Sequence, residues 1–133
     1  MSVHEIDPAT GLPVGERIRP HLEVTPADLK SRLDDSNDEL LLVDCREPFE
    51  WDQARIEGAV LIPLGSLEDR LDELEDDDGG REHDVVVYCH HGVRSLRAAS
   101  ALQAHGFANA KSMAGGIDMW SQGVDPSVPR YTK

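Results

Sequence analysis

Asp84-Val85-Val86-Val87-Tyr88-Cys89-His90-His91-Gly92-Val93-Arg94-Ser95 is the stretch that decides the fold. Its first part is a short continuous apolar run with three β-branched residues, the pattern of a strand buried on both faces of a parallel sheet. A tight loop follows. Ser95 to His105 then reads as a helix, with Leu96, Ala99 and Leu102 on one face and Gly106 suited to its C-terminal end. Strand, tight loop and helix in immediate succession are one half of a βαβ unit.

The same alternation extends in both directions. Upstream, Leu40-Leu41-Leu42-Val43-Asp44 is a second continuous apolar strand, and Glu47 to about Ala54 a short helix. Ala59-Val60-Leu61-Ile62 is a third strand, stopped by Pro63. Leu67, Leu71 and Leu74 fall on one face of a helix that starts at Ser66. Near the start, His21–Val24 is a short strand, and Thr25-Pro26-Ala27-Asp28 opens a helix through a capping hydroxyl, a proline at the first position and an acid at the positive end of the dipole. Downstream, Ala110–Met113 is a last strand, followed by a Gly115-Gly116 turn and a short helix from Ile117. The pattern predicts an α/β fold with a mainly parallel five-stranded sheet and helices on both faces. Residues 1–20 mix Pro, Gly and charge without a period and read as an extended or disordered arm before a domain spanning 21–133.

Composition narrows the functions. The chain has 133 residues and a formal net charge of −13. That is about one domain at roughly 100–200 residues per domain. So acidic a chain is a poor binder of nucleic acid or anionic membrane. The charge is uneven: residues 1–83 carry −15 and residues 84–133 carry +2, which points anion binding toward the second part. Cys45 and Cys89 are the only cysteines, too few for a disulfide framework. No leader pattern or apolar span is visible, so a cytoplasmic protein with reduced thiols is expected.

In parallel α/β folds ligands gather at the carboxyl ends of the strands. Cys89 stands at such an end, facing a helix N-terminus. Helix N-termini and nearby cations lower a thiol's pKa, and loop N–H groups can form an anion nest. Gly92 permits a positive φ or a close backbone approach. Arg94 offers a forked cation for an oxyanion, and Ser95 suits the helix cap. Cys89 is therefore the candidate nucleophile, with His90, His91, Gly92, Val93, Arg94 and Ser95 as candidate substrate-binding residues. Only four residues separate Cys89 from Arg94. Cysteine-dependent phosphatases use one more. The smaller cradle favours a sulfur atom over a tetrahedral phosphate.

Adjacent histidines on a tight loop are expected to point in different directions, so His90 and His91 are read as pocket lining and no metal site is expected. Cys45 is expected to point into the core, with a resolving thiol as the alternative. Arg97 lies on about the same helix face as Arg94, and Trp120, Phe107 and Met119 read as packing.

At this point the chain resembles a single-domain rhodanese of the sulfurtransferase family. Three stretches carry the resemblance: Leu42–Glu50 with Ile56-Glu57-Gly58-Ala59, the loop Tyr88–Ser95, and Gly106-Phe107 with Gly115-Gly116 and Trp120. Arg55 stands where the family often has His, and Cys45 where Val is usual. The resemblance implies that the Cys89 thiolate takes a sulfur from thiosulfate or another persulfide donor, holds it as a persulfide and hands it to a thiophilic acceptor. It implies no metal and no organic cofactor. Arg94 would hold the anionic part of the donor, and Asp44 and Arg46 would be structural near the site. The tail from Gly116 to Tyr131 is similar to the end of rhodanese domains fused to activating enzymes of ubiquitin-like proteins, so a protein sulfur donor or acceptor acting in trans is a further expectation. The competing classes are a persulfide carrier or docking module, a small phosphatase or arsenate reductase, and a catalytically inactive interaction domain.

Overall fold

The computed structural model describes residues 5–35 and 38–131. Residues 1–4 of the expected arm, 36–37 of the expected Asp34–Asp38 loop and 132–133 at the end of the expected domain lie outside the described residues.

Five strands form one sheet: β3 (Glu23–Val24), β4 (Leu40–Asp44), β5 (Val60–Leu61), β6 (Asp84–Tyr88) and β7 (Ala110–Met113), in the order β3-β7-β6-β4-β5. Every neighbouring pair is parallel. The continuous apolar runs are β4 and β6, two of the three inner strands, which pair from Leu40↔Asp84 to Asp44↔Tyr88. Parallel strands need crossover connections that cover the sheet's faces, so inner strands are apolar on both sides.

The alternation along β6 divides the core in two. Val85, Val87 and Cys89 face one cluster with Leu67, Leu74, Ala98, Leu102 and Phe107. Val86 and Tyr88 face another with Leu29, Ile56, Ile117 and Trp120. The first lies under α3 (Val93–Ala104), the second under α1 (Pro26–Leu33) and α4 (Gly116–Gly123). α1 begins as expected, with Thr25 Oγ1 accepting from Asp28 N at 3.1 Å. α2 (Pro48–Gln53) opens with a capping box between Glu47 and Glu50.

One expectation is corrected and another gains detail. The leucine-spaced stretch forms 3-10 turns over Leu64–Leu74, broken at Arg70 with φ −125°. It starts without a side-chain cap and carries Glu68, Asp69, Asp72 and Glu73, and it is anchored by the burial of Leu67 and Leu74 and by Leu64 N donating to Cys45 O at 3.0 Å. The N-terminal arm folds back on itself and docks over its described residues. β1 (Ile6–Asp7) and β2 (Leu12–Pro13) pair antiparallel, and Ala27 N donates to Thr10 O at 2.9 Å. Leu12 is 1% exposed, and complete burial of a leucine contributes roughly 1.5–3 kcal/mol. Strands of two residues carry no readable period, so the docking was invisible beforehand.

Candidate active site

Cys89 directly follows β6, and its sulfur collects donors. Gly92 N–H donates to Sγ at 3.0 Å and Ser95 N–H at 3.3 Å, while Ser95 Oγ lies 3.4 Å away. Ser95 Oγ is itself 2.7 Å from Ser112 Oγ on β7. The loop carbonyls point the other way: Ile117 N donates to Cys89 O at 2.8 Å and Asp118 N to His90 O at 3.1 Å. α4 thus grips the outer side of the loop, which turns the loop's N–H groups inward. Glycines make this possible. Gly92 has φ 102°, and a Cβ there would come within 3.2 Å of Gly115 N. A Cβ on Gly116 would collide with His90 O. Gly92, not Ser95, is the N-cap of α3. Helix α3 therefore starts two residues earlier than expected, and the Ser95 side chain turns inward to the sulfur.

The thiol is held low, at about 5, by its contact with Cys45 and then by hydrogen bonds from Ser95 and Gly92, which together outweigh burial. A thiol this acidic is a thiolate at neutral pH, and the thiolate is the nucleophile. A pocket of about 220 Å³ opens over it, lined by Cys89, His90, His91, Val93 and Arg94.

Arg94 does not present a free fork to this pocket. Its Nη1 and Nη2 donate to Glu50 Oε1 at 2.7 Å and Oε2 at 2.9 Å. Glu50 is 1% exposed and also accepts from Tyr131 Oη at 2.9 Å. Burial pushes the Glu50 carboxyl up, but Arg94, the Glu47 N–H and Tyr131 overrule it and bring it to about 2. Tyr131 Oη in turn accepts from Arg46 Nη1 at 2.6 Å. Arg46 continues the chain: its Nε and Nη2 donate to Asp44 at 2.9 and 2.6 Å, and Nη2 reaches Ala54 O at 2.6 Å. Asp44 and Arg46 are both 0% exposed, so they brace the β4 end and have no access to the pocket.

His90 and His91 correct another expectation. Their rings stack at 4.0 Å instead of diverging, and the Tyr131 ring covers the other side of His90 at 4.1 Å. Burial, and then His91, hold His90 below its ordinary pKa, so it is neutral in the stack. Cys45 points into the core as expected, and there it meets Cys89. Arg97 lines a neighbouring groove with Glu47, Leu67 and Glu68, and Arg94 lines both that groove and the pocket over Cys89.

A family model described as rhodanese-like domain matches residues 25–123. The chain belongs to the rhodanese-like domain family. Over 106 residues it is 35% identical to a sulfurtransferase of Allochromatium vinosum, covering 80% of this chain and 94% of the relative. It is 39% identical over 110 residues to the adenylyltransferase and sulfurtransferase MOCS3-2 of Zea mays, covering 81% of this chain. It spans only 23% of that longer relative. Among solved structures, a rhodanese-related protein from Thermoplasma volcanium superposes with a TM-score of 0.68 at 29% identity, covering 83% of this chain and 99% of that one. Sulfur transfer is thus the general chemistry of the proteins this domain resembles.

In this rhodanese-like domain four contributors gave no local signal in the sequence of what they touch. Glu50 lies 44 positions from Arg94, and Tyr131 lies 85 from Arg46. Ser112 and the facing position of Cys45 emerge only once strand register is known. The one available hint was the resemblance at Glu50 and at the tail, which names the residues without saying what they touch.

Proposed function

We propose that this rhodanese-like domain transfers sulfane sulfur from thiosulfate or a persulfide donor to a thiophilic acceptor through a persulfide on Cys89. The observation that carries the reading is the convergence of Gly92 N–H and Ser95 N–H on one sulfur beneath an open pocket. The Cys89 thiolate attacks the outer sulfur of the donor. A new S–S bond forms, and the donor's remainder leaves with the electrons of the broken one. An acceptor thiolate or cyanide then attacks the terminal sulfur, and Cys89 leaves as a thiolate. This is covalent catalysis in two half-reactions, and no cofactor enters it.

The donor's negative charge is met by the pocket N–H groups and the N-terminus of α3. Arg94 acts mainly through Glu50, since its fork is already engaged. His90, His91 and Val93 shape the pocket mouth, and Ser95 serves the sulfur from below. Two cysteines are too few for a disulfide framework, which favours a reducing, cytoplasmic setting. A persulfide carrier read by a protein partner is the second reading. It is favoured by Val93, an apolar side chain 69% exposed on the pocket's own wall.

Intact-protein mass spectrometry tests this after treatment with thiosulfate and, separately, with a low-molecular-weight persulfide. Wild type gains one sulfur atom and Cys89→Ser gains none. No gain from either donor, or an equal gain in Cys89→Ser, overturns the proposal. Fast discharge to cyanide indicates small-molecule turnover, and a persulfide that resists cyanide favours the carrier.

A further inference from the structure

Two thiols meet on one face of the sheet, and only one of them belongs to the loop. Asp44 pairs with Tyr88 across the parallel strands, and Cys45 N donates to Tyr88 O at 3.1 Å. The next residue along each strand is a cysteine, and both face the cluster that holds Ala98 and Leu102. Cys45 is 0% and Cys89 1% exposed, and both side chains are packed in that one cluster. Gly92 and Ser95 approach the sulfur from the loop and α3. Cys45 covers it from β4.

We propose that Cys45 is a positioning residue whose S–H donates to Cys89 Sγ, holding that sulfur ionised and turned toward the pocket. The inference rests on reading Cys89 as the reacting thiolate. A buried charge without donors on one side is costly. A thiol is a weak donor, but one made stronger by an ionised acceptor. The direction of donation follows from the surroundings. Cys89 Sγ already receives the Gly92 and Ser95 N–H groups, while the contact with Cys89 and then burial push the Cys45 thiol up, so the charge rests on Cys89 and the proton stays on Cys45. A protonated thiol is not a nucleophile, which sets the donor role against the resolving-thiol alternative.

The other charged or titratable groups around the pair are accounted for. On β4, Asp44 is locked by Arg46. On α2, Glu50 is locked by Arg94 of α3. In the loop, His90 and His91 stack on each other, and Asp118 of α4 is paired with Arg130. The hydrogen bond also bears on the second half-reaction. In the persulfide the negative charge sits on the terminal sulfur, and the S–H of Cys45 faces a neutral one. Departure of Cys89 as a thiolate restores the charged acceptor, and a leaving thiol of lower pKa leaves faster.

The experiment is the pH dependence of Cys89 alkylation by iodoacetamide, with no sulfur donor present and the alkylated site assigned by peptide mass spectrometry. Wild type is compared with Cys45→Ser, which keeps a donor, and with Cys45→Ala and Cys45→Val, which lack one. The expected midpoint rises by about one pH unit in the Ala and Val variants, so that alkylation well below the midpoint slows about tenfold. Cys45→Ser stays near wild type. An unchanged midpoint in folded Cys45→Ala or Cys45→Val overturns the inference, as does a Ser variant that shifts as far as they do. If the Ala variant fails to fold, Val carries the comparison. Because no sulfur donor takes part, a shifted midpoint without a persulfide leaves this inference standing and sinks the proposed function. A persulfide without a shifted midpoint does the reverse.

Discussion

The ends of β4 and β6 are neighbours at the same sheet edge, in register at Asp44 and Tyr88, yet they are built to opposite plans. At the β4 end an arginine folds back onto a carboxylate two residues away, and both are sealed from water. The Arg46 guanidinium bonds to Asp44, Ala54 and Tyr131. At the β6 end a single sulfur gathers N–H groups, and among the described residues no cation touches it with a hydrogen bond. One end has its charges matched inside the protein. The other keeps an anionic atom under an open pocket, so its next bond has to come from a ligand. Rigidity and reactivity thus sit side by side on adjacent strands, and the first holds the second in place.

The largest effect separates the two plans outright. Arg46→Ala strands the Asp44 carboxylate and costs about 3–5 kcal/mol of stability, as expected for one partner lost from a buried pair. Urea unfolding followed by circular dichroism measures it. Cys89→Ser should cost less than about 1 kcal/mol, since a hydroxyl retains the surrounding donors. Equal losses in the two variants break the comparison. The next effect is a pH dependence. The Glu50 carboxyl drops from 4.5 to about 2 on folding. Its contribution is therefore fully present above about 4.5 and is lost as pH falls through about 2. Glu50→Gln should flatten the acid limb of stability in that window and leave the slope above it unchanged. A wild-type acid limb in the variant removes Glu50 from the bracing chain. The smallest effect is that of Tyr131→Phe, which loses the hydroxyl between Arg46 and Glu50 and keeps the ring on His90. A loss of about 0.5–1.5 kcal/mol is expected, with Cys89 alkylation changed little. A large drop in alkylation would show that the two ends are coupled more tightly than their separate networks imply.

The sequence disclosed the parts of this molecule whose signal is local. β4 and β6 are continuous apolar runs because both faces are covered, and the Cys89 loop is contiguous from strand to helix. Thr25 caps α1 through a neighbour three residues away. What stayed hidden needs two distant segments at once. The Arg94 fork looked free because its partner Glu50 belongs to another helix. Ser95 looked like a cap because the positive φ that lets Gly92 take that place is set by the packing of Gly115. The two histidines looked divergent because Tyr131, which stacks on His90, comes from the far end of the chain. The N-terminal hairpin carried no period, and one buried leucine shows its attachment.

The distance in sequence between Arg46 and Tyr131 bears on when the site comes into being. These residues are 85 positions apart, and the grip on the Cys89 loop comes from α4, after the last strand. During synthesis the thiol emerges well before the segments that turn the loop's amides toward it. A nascent chain therefore exposes a cysteine of ordinary acidity. The acidic, cradled sulfur arises only once α4 and the segment carrying Tyr131 have also emerged and docked, so the order of synthesis delays the chemistry behind the appearance of the thiol.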